Sequence, residues 1–203
     1  MIIDNEKYKL SDDNFTPVEC IKRQIIFGNT FNHDMRHIIG WENRFNGKYN
    51  KTAAFTIDAA GLVYEHFNPS FYSNYFDSKT LNTKSIVILL ENDGWLKKDE
   101  EKNQFITWIG DIYNKSSEVF EKRWRTYKYW APYTQEQIDS AAKLVVMLCD
   151  RFGIPKNVIG HNTKIDLVDE YNGVLYKSNL DKNYTDLSPA WGFEVFKNKI
   201  ETI

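Results

Sequence analysis

The sequence predicts a single α/β domain: a central mixed β-sheet flanked by helices. Three observations carry this. The run SIVILLEN (85–92) is apolar over the length of a strand, the pattern of a central strand covered on both faces. The segment from Thr134 to Phe152 repeats apolar residues at three- and four-residue spacing, the pattern of a helix with one buried face. Strand-like and helix-like stretches alternate with no internal repeat and no low-complexity linker, which points to one core. A chain of 203 residues is long enough to fill that core. Residues 1–19 read as an N-terminal extension and 20–203 as the domain.

In chain order, CIKRQIIFGNT (20–30) reads as a strand ending at Gly28, and DMRHIIGWENRF (34–45) as a short helix. KTAAFTIDAAGLVYEHF (51–67) places two β-rich runs around Asp58-Ala59-Ala60-Gly61, a hairpin. After the irregular NPSFYSNYF (68–76) come the central strand and then QFITWIGDIYN (104–114), a strand and turn. Thr134 with Gln137 three residues later forms a capping box, and Gly153 and Pro155 end the helix it opens. GVLYKSN reads as a short strand, and SPAWGFEVFKNKI (188–200) as a closing helix with its proline near the start.

The net charge of −2 gives no global attraction to nucleic acid or to an anionic membrane. No stretch approaches 18 apolar residues, so no membrane-spanning helix is expected. The two cysteines, Cys20 and Cys149, form no CxxC pair. Cys149 in LVVMLCDRF reads as a buried thiol in a reducing compartment. The N-terminus is charged from position 4 and shows no signal-peptide run, so synthesis in the cytoplasm is expected. GxSxG, P-loop and GxGxxG motifs are missing, which removes several large enzyme classes as motif-supported readings.

Only four histidines occur. His161 leaves a strand-like run in VIGHNT, and Asp186 follows 25 residues later in NYTDLSPAW. An imidazole and a carboxylate are two of the three protein ligands that a catalytic zinc usually has, the remaining position being left for water. The alternative is that His161 bonds across a loop and Asp186 caps the last helix. His33 and His37 are four apart, on one face if the segment is helical, but the glutamate of an HExxH site is missing. Both could equally lie on a solvated face, or His37 alone could point into a cleft. His66, in VYEHF, is structural or lines a groove. Glu91 ends the central strand as a general base or as a turn residue bonded to backbone. EKRWRTYKYWAPY (121–133) interleaves basic residues with Trp124 and Trp130; it either stacks a ligand or folds its rings back on the core.

Taken in order, the strand QIIFGNT, the hairpin, the buried strand, YTQEQ…FGIP, IGHNT and YTDLSPAW resemble the zinc-dependent N-acetylmuramoyl-L-alanine amidase family, in the style of tailed-phage proteins. The resemblance covers roughly residues 20–200. It implies a groove for a glycan-peptide, peptidoglycan as partner, and zinc-activated water cleaving the amide between muramic acid and L-alanine, in phage lysis or cell-wall entry. It places His161 on the family's second zinc histidine and Asp186 near the third ligand. Glu91 and Tyr184 become catalytic candidates, and His66, Trp124, Trp130 and Asn162 candidate groove residues. A phage-encoded chain would act from the host cytoplasm or in a virion.

The first zinc histidine of the family is replaced by Gly28, its catalytic tyrosine by Ala53, and its acidic strand residue by Leu89. Glu91 shares a strand face with that last position. Three readings stay open. His37 (or His33) supplies the missing zinc ligand; the centre is rebuilt without metal around Glu91, Tyr184 and His161; or catalysis has lapsed and the groove binds wall fragments or a protein partner.

Overall fold

The computed structural model describes residues 1–203. Its elements in chain order are β1 (Ile3–Asp4), β2 (Gln24–Asn29), α1 (Arg36–Asn43), β3 (Phe55–Ile57), β4 (Val63–Glu65), α2 (Lys79–Lys84), β5 (Ser85–Leu90), β6 (Trp95–Asp99), β7 (Gln104–Thr107), β8 (Phe120–Trp124), β9 (Tyr127–Trp130), α3 (Gln135–Phe152), β10 (Gly173–Tyr176), α4 (Lys177–Leu180) and α5 (Phe193–Thr202).

The main sheet has six strands in the order β1-β4-β3-β5-β2-β10, and only the β3–β4 pair is antiparallel. Every residue of β2 and β5 is buried, as the apolar runs Ile86–Leu90 of β5 and Ile25–Phe27 of β2 require of strands covered on both faces. The antiparallel pair is the expected hairpin. Gly61 at its turn has φ +80, and a Cβ there would lie 2.7 Å from the Glu136 carbonyl oxygen, so only glycine lets the turn meet the start of α3.

Helix α3 begins with the predicted capping box, in which Thr134 Oγ1 accepts from the Gln137 N–H and Gln137 Oε1 accepts from the Thr134 N–H. Its buried face carries Ile138, Ala141, Ala142, Val145, Leu148 and Cys149. Helix α5 closes the core with Phe196, whose ring meets Phe27 edge-on at 5.4 Å and Trp191 at 5.3 Å. It starts at Phe193, four residues after Pro189, so the proline precedes the helix.

Two features differ from the sequence reading. Residues 1–19 do not stand apart: Ile3–Asp4 adds the edge strand beside β4, and Leu10, Asn14 and Phe15 are buried. A second, antiparallel sheet in the order β7-β6-β9-β8 rises from residues 95–130. Its strand WLKKD is only partly buried and charged, with a small satellite core of Leu96, Tyr113 and Ala131, so it lacks the apolar signal of a central strand. The four parallel strands β3, β5, β2 and β10 point the same way. Their C-terminal ends, beside the second sheet, are where open α/β sheets place ligands.

Candidate functional site

At that edge the register of β10 on β2 pairs Tyr176 with Phe27, and β5 pairs Leu89 with Gly28. The next residue after Tyr176 is Lys177, so the sheet delivers a lysine to the side of Gly28. The buried Asp186 faces both. A Cβ built on Gly28 would stand 3.1 Å from Asp186 Oδ2, and Lys177 Nζ lies 3.8 Å from the same oxygen. Asp186 Oδ2 also accepts from the Asn29 N–H at 3.0 Å. The ammonium sits over the rings of Tyr184 at 4.5 Å and Tyr75 at 5.3 Å.

Burial opposes the charge on Lys177, but Tyr75, Asp186 and Tyr184 outweigh it and its pKa lies above the ordinary lysine value. The amine is therefore a fixed positive charge. Burial pushes the Asp186 carboxyl up, while Lys177 and the Asn29 N–H pull it back.

Lys177 lines a groove of about 490 Å³ that also contains Asn29 and Leu89. The cations Arg36, Arg44 and Lys51 and the rings of Trp41, Trp95 and Trp108 complete its character, and no carboxylate lines it. Arg36 is paired with Asp111 at 2.8 Å and Lys51 with Asp77 at 2.9 Å, both outside the lining. Arg44 has no acidic partner and lies 5.4 Å over the Tyr49 ring. Trp95 comes from the second sheet, and Trp108 follows β7, its indole N–H donating to the Phe31 carbonyl. The second sheet thus supplies one wall.

His161 is half-buried between the Phe193 ring, stacked at 4.2 Å, and Trp124 at 4.8 Å. Burial, then the charges of Lys122 and Arg125, lower its pKa to about 4, so the imidazole is neutral; its buried Nε2 has no hydrogen-bond partner. No hydrogen bond joins it to Asp186. The loop carrying Asp186 is held by Arg125, at the β8–β9 turn, which donates to the carbonyls of Ser178, Asp181 and Tyr184. Asn162 is bonded through its side-chain oxygen to the Trp124 indole N–H. Tyr184 stands at Lys177, partly exposed.

Of the remaining sequence candidates, only His37 reaches this groove. His37 lines the groove, but its Nε2 is bonded to Thr56 Oγ1 at 3.1 Å, and the Thr56 hydroxyl also meets His66 Nε2 at 2.8 Å. His66, expected as a groove residue, is fully buried, with Nδ1 on the Tyr8 carbonyl oxygen, and has no surface to offer a ligand. The same holds for Trp130, fully buried with its indole N–H on the Lys122 carbonyl; this half of the 121–133 segment folds back on the core. Glu91 lines a separate pocket, its two oxygens accepting from the Met35 and Ala59 N–H groups at 2.9 Å each. The sequence reading missed Lys177 and the cations of the groove, and took Arg125 as one basic residue of the 121–133 segment rather than as the clamp on the loop of Asp186. Its only signal for Lys177 was a lysine at the end of GVLY, and its neighbour depended on a register invisible in the chain.

A single mixed α/β domain with a central sheet flanked by helices matches the fold of solved peptidoglycan amidases. The sequence profile of N-acetylmuramoyl-L-alanine amidases matches residues 21–171, and the chain belongs to that family, whose members are generally zinc-dependent. Among solved structures, the chain resembles the N-acetylmuramoyl-L-alanine amidase LysC from Clostridium intestinale URNW (TM-score 0.55, 12% identity, 99% of this chain and 98% of that one). It also resembles AmiD from E. coli in complex with anhydro-N-acetylmuramic acid-L-Ala-D-gamma-Glu-L-Lys (0.57, 12%, 91% and 59%) and AmiA from Staphylococcus aureus in complex with its ligand (0.56, 9%, 99% and 82%). At these identities the likeness is one of fold. No curated protein matches the chain in sequence.

The residues present do not fit a family-type zinc. Catalytic zinc takes three protein ligands, and nowhere do three His, Cys, Asp or Glu side chains converge to hold a metal ion. Gly28 has no donor, and the Asp186 oxygen beside it already faces the Lys177 ammonium, which repels a second cation.

Proposed function

We propose that this chain acts on peptidoglycan, with the N-acetylmuramoyl–L-alanine amide as the bond brought to the floor of the groove, and that it serves in phage lysis or cell-wall entry. The observation that carries this reading is the family match across residues 21–171, supported by a groove beside Gly28 and Lys177. Flat indole faces suit sugar rings, and the cations suit the carboxylates of a muramoyl-peptide. The chain's own residues bind and orient: Arg125 fixes the loop bearing Asp186, and the accessory sheet holds Trp95 and Trp108 over the groove. No step is assigned to a metal, because the donor set does not fit one.

A second reading, recognition of wall fragments without cleavage, is supported by Gly28, the position the family resemblance assigns to the first zinc histidine, which has no side-chain donor. The test is incubation of the purified chain with peptidoglycan, measuring new L-alanine amino groups and co-sedimentation. New amino groups, lost in Asp186→Asn, support the amidase. Co-sedimentation without them selects recognition, and neither result would remove both.

A further inference from the structure

The groove carries positive charge at the point where the donor set has failed. Lys177 Nζ lies 3.8 Å from Asp186 Oδ2, and the space that a side chain at Gly28 would enter abuts the same oxygen, Leu89 and the Tyr75 hydroxyl. The ammonium lies 5.3 Å over the Tyr75 ring and 4.5 Å over the Tyr184 ring, and Lys177 lines the groove. Four cationic residues and no carboxylate line that groove, although the chain as a whole has a net charge of −2. Such a lining concentrates positive potential against the protein's overall sign.

We infer that Lys177 serves as the fixed cation of this groove in place of a metal ion, and that the groove binds a carboxylate of its ligand there. The inference deepens the peptidoglycan reading and rests on it for the identity of the ligand. A carboxylate oxygen meeting Lys177 Nζ makes a charge-assisted hydrogen bond, with Asp186 behind the ammonium keeping it in place. A wide aromatic groove with one anchored charge takes an acidic sugar or a short acidic peptide. The carboxylate has two sources, the stem peptide of an intact muramoyl-peptide or the lactyl group of free muramic acid, which is ionisable only once its amide to L-alanine is cut.

Isothermal titration in excess EDTA separates them. N-acetylmuramic acid carries only the lactyl carboxylate, L-Ala–D-Glu only peptide carboxylates, and N-acetylglucosamine neither. At least one acid binds, N-acetylglucosamine does not, and Lys177→Met weakens the acid about tenfold or more, as expected for loss of a charge-assisted bond. Lys177→Arg recovers part of the affinity. Elemental analysis after dialysis against zinc finds the wild-type chain substoichiometric in metal. Should Lys177→Met fail to fold, Arg44→Met provides the charge arm, with a smaller loss of acid binding.

Stoichiometric zinc whose removal abolishes binding overturns the inference. So does equal binding of N-acetylglucosamine, equal binding by the variant, or binding of neither acid. Peptidoglycan left uncut while the acids still bind removes the amidase reading alone and leaves Lys177 as the anchor.

Discussion

Gly28 and Asp186 are in contact across the sheet edge: a Cβ on Gly28 would stand 3.1 Å from Asp186 Oδ2 and 3.1 Å from Leu89 Cδ2. Neither neighbour is the free end of a mobile side chain, because Asp186 is tied to the Asn29 N–H and Leu89 is buried in β5. Gly28→Ala is therefore expected to destabilise the fold by about 1–3 kcal/mol, the cost of overpacking. Gly28→His, which introduces the histidine that the family resemblance would place there, is expected to recruit no stoichiometric zinc while Lys177 is present. Urea unfolding and elemental analysis read the two outcomes, and a zinc-loaded Gly28→His protein would show that Lys177 does not exclude a cation.

His66 predicts an acid-labile fold. Burial lowers its pKa to about 4, against 6.5 for the free side chain, with the Tyr8 carbonyl opposing the fall only in part. The unfolded chain therefore binds a proton that the folded chain refuses. The contribution of neutral His66 is fully present above about pH 6.5 and is lost as pH falls from there towards 4. It amounts to roughly 3 kcal/mol by pH 4. Denaturation midpoints measured between pH 7 and 4 are expected to fall steeply in the wild type and less in His66→Gln. Parallel profiles would place the acid sensitivity in other groups.

The parts of the fold that the sequence made legible are those with strong local signals. β5 was legible because five consecutive apolar residues, Ile86 to Leu90, are buried, and α3 because cap, apolar stripe and terminating glycine agree. Of the accessory sheet only β7, within QFITWIGDIYN, was legible; β8 exposes most of FEKRW to solvent, so burial leaves no alternation to read. Within the site, the family resemblance led to Gly28 and Asp186 as neighbours of one centre. Lys177 escaped because it is adjacent to Gly28 only through the pairing of Tyr176 with Phe27. His66 and Trp130 looked like groove residues because an alternating strand does not say which side is closed, and the structure buries both.

Glu91 is a clip between two loops. Its carboxylate accepts from the Met35 N–H at the entry to α1 and from the Ala59 N–H in the β3–β4 turn. Glu91→Ala leaves both N–H groups without that partner and is expected to cost about 1–3 kcal/mol of stability. It should leave the affinity of the groove for N-acetylmuramic acid within about twofold, a change of under ~0.5 kcal/mol. Thermal unfolding and titration on the same sample decide it. Full stability with lost peptidoglycan cleavage would instead return Glu91 to a role as general base.

Arg125 controls the geometry of Asp186 from outside the groove. Its guanidinium donates to the Ser178 carbonyl at 2.9 Å, the Asp181 carbonyl at 3.0 Å and the Tyr184 carbonyl, while stacking over Trp124 at 4.5 Å. Three acceptors spread over α4 and the loop after it need a planar fork of donors, which lysine lacks. Arg125→Ala is expected to cost about 1–3 kcal/mol and to raise amide hydrogen exchange across 178–186. Arg125→Lys should recover little of either. Because the loop sets where Asp186 meets Lys177, affinity for the acidic ligand should fall in both variants without any loss of a ligand contact. Unchanged exchange across 178–186 in Arg125→Ala would mean that the loop is held by its packing, with the Ser178 N–H to Asp186 carbonyl bond sufficient to fix it.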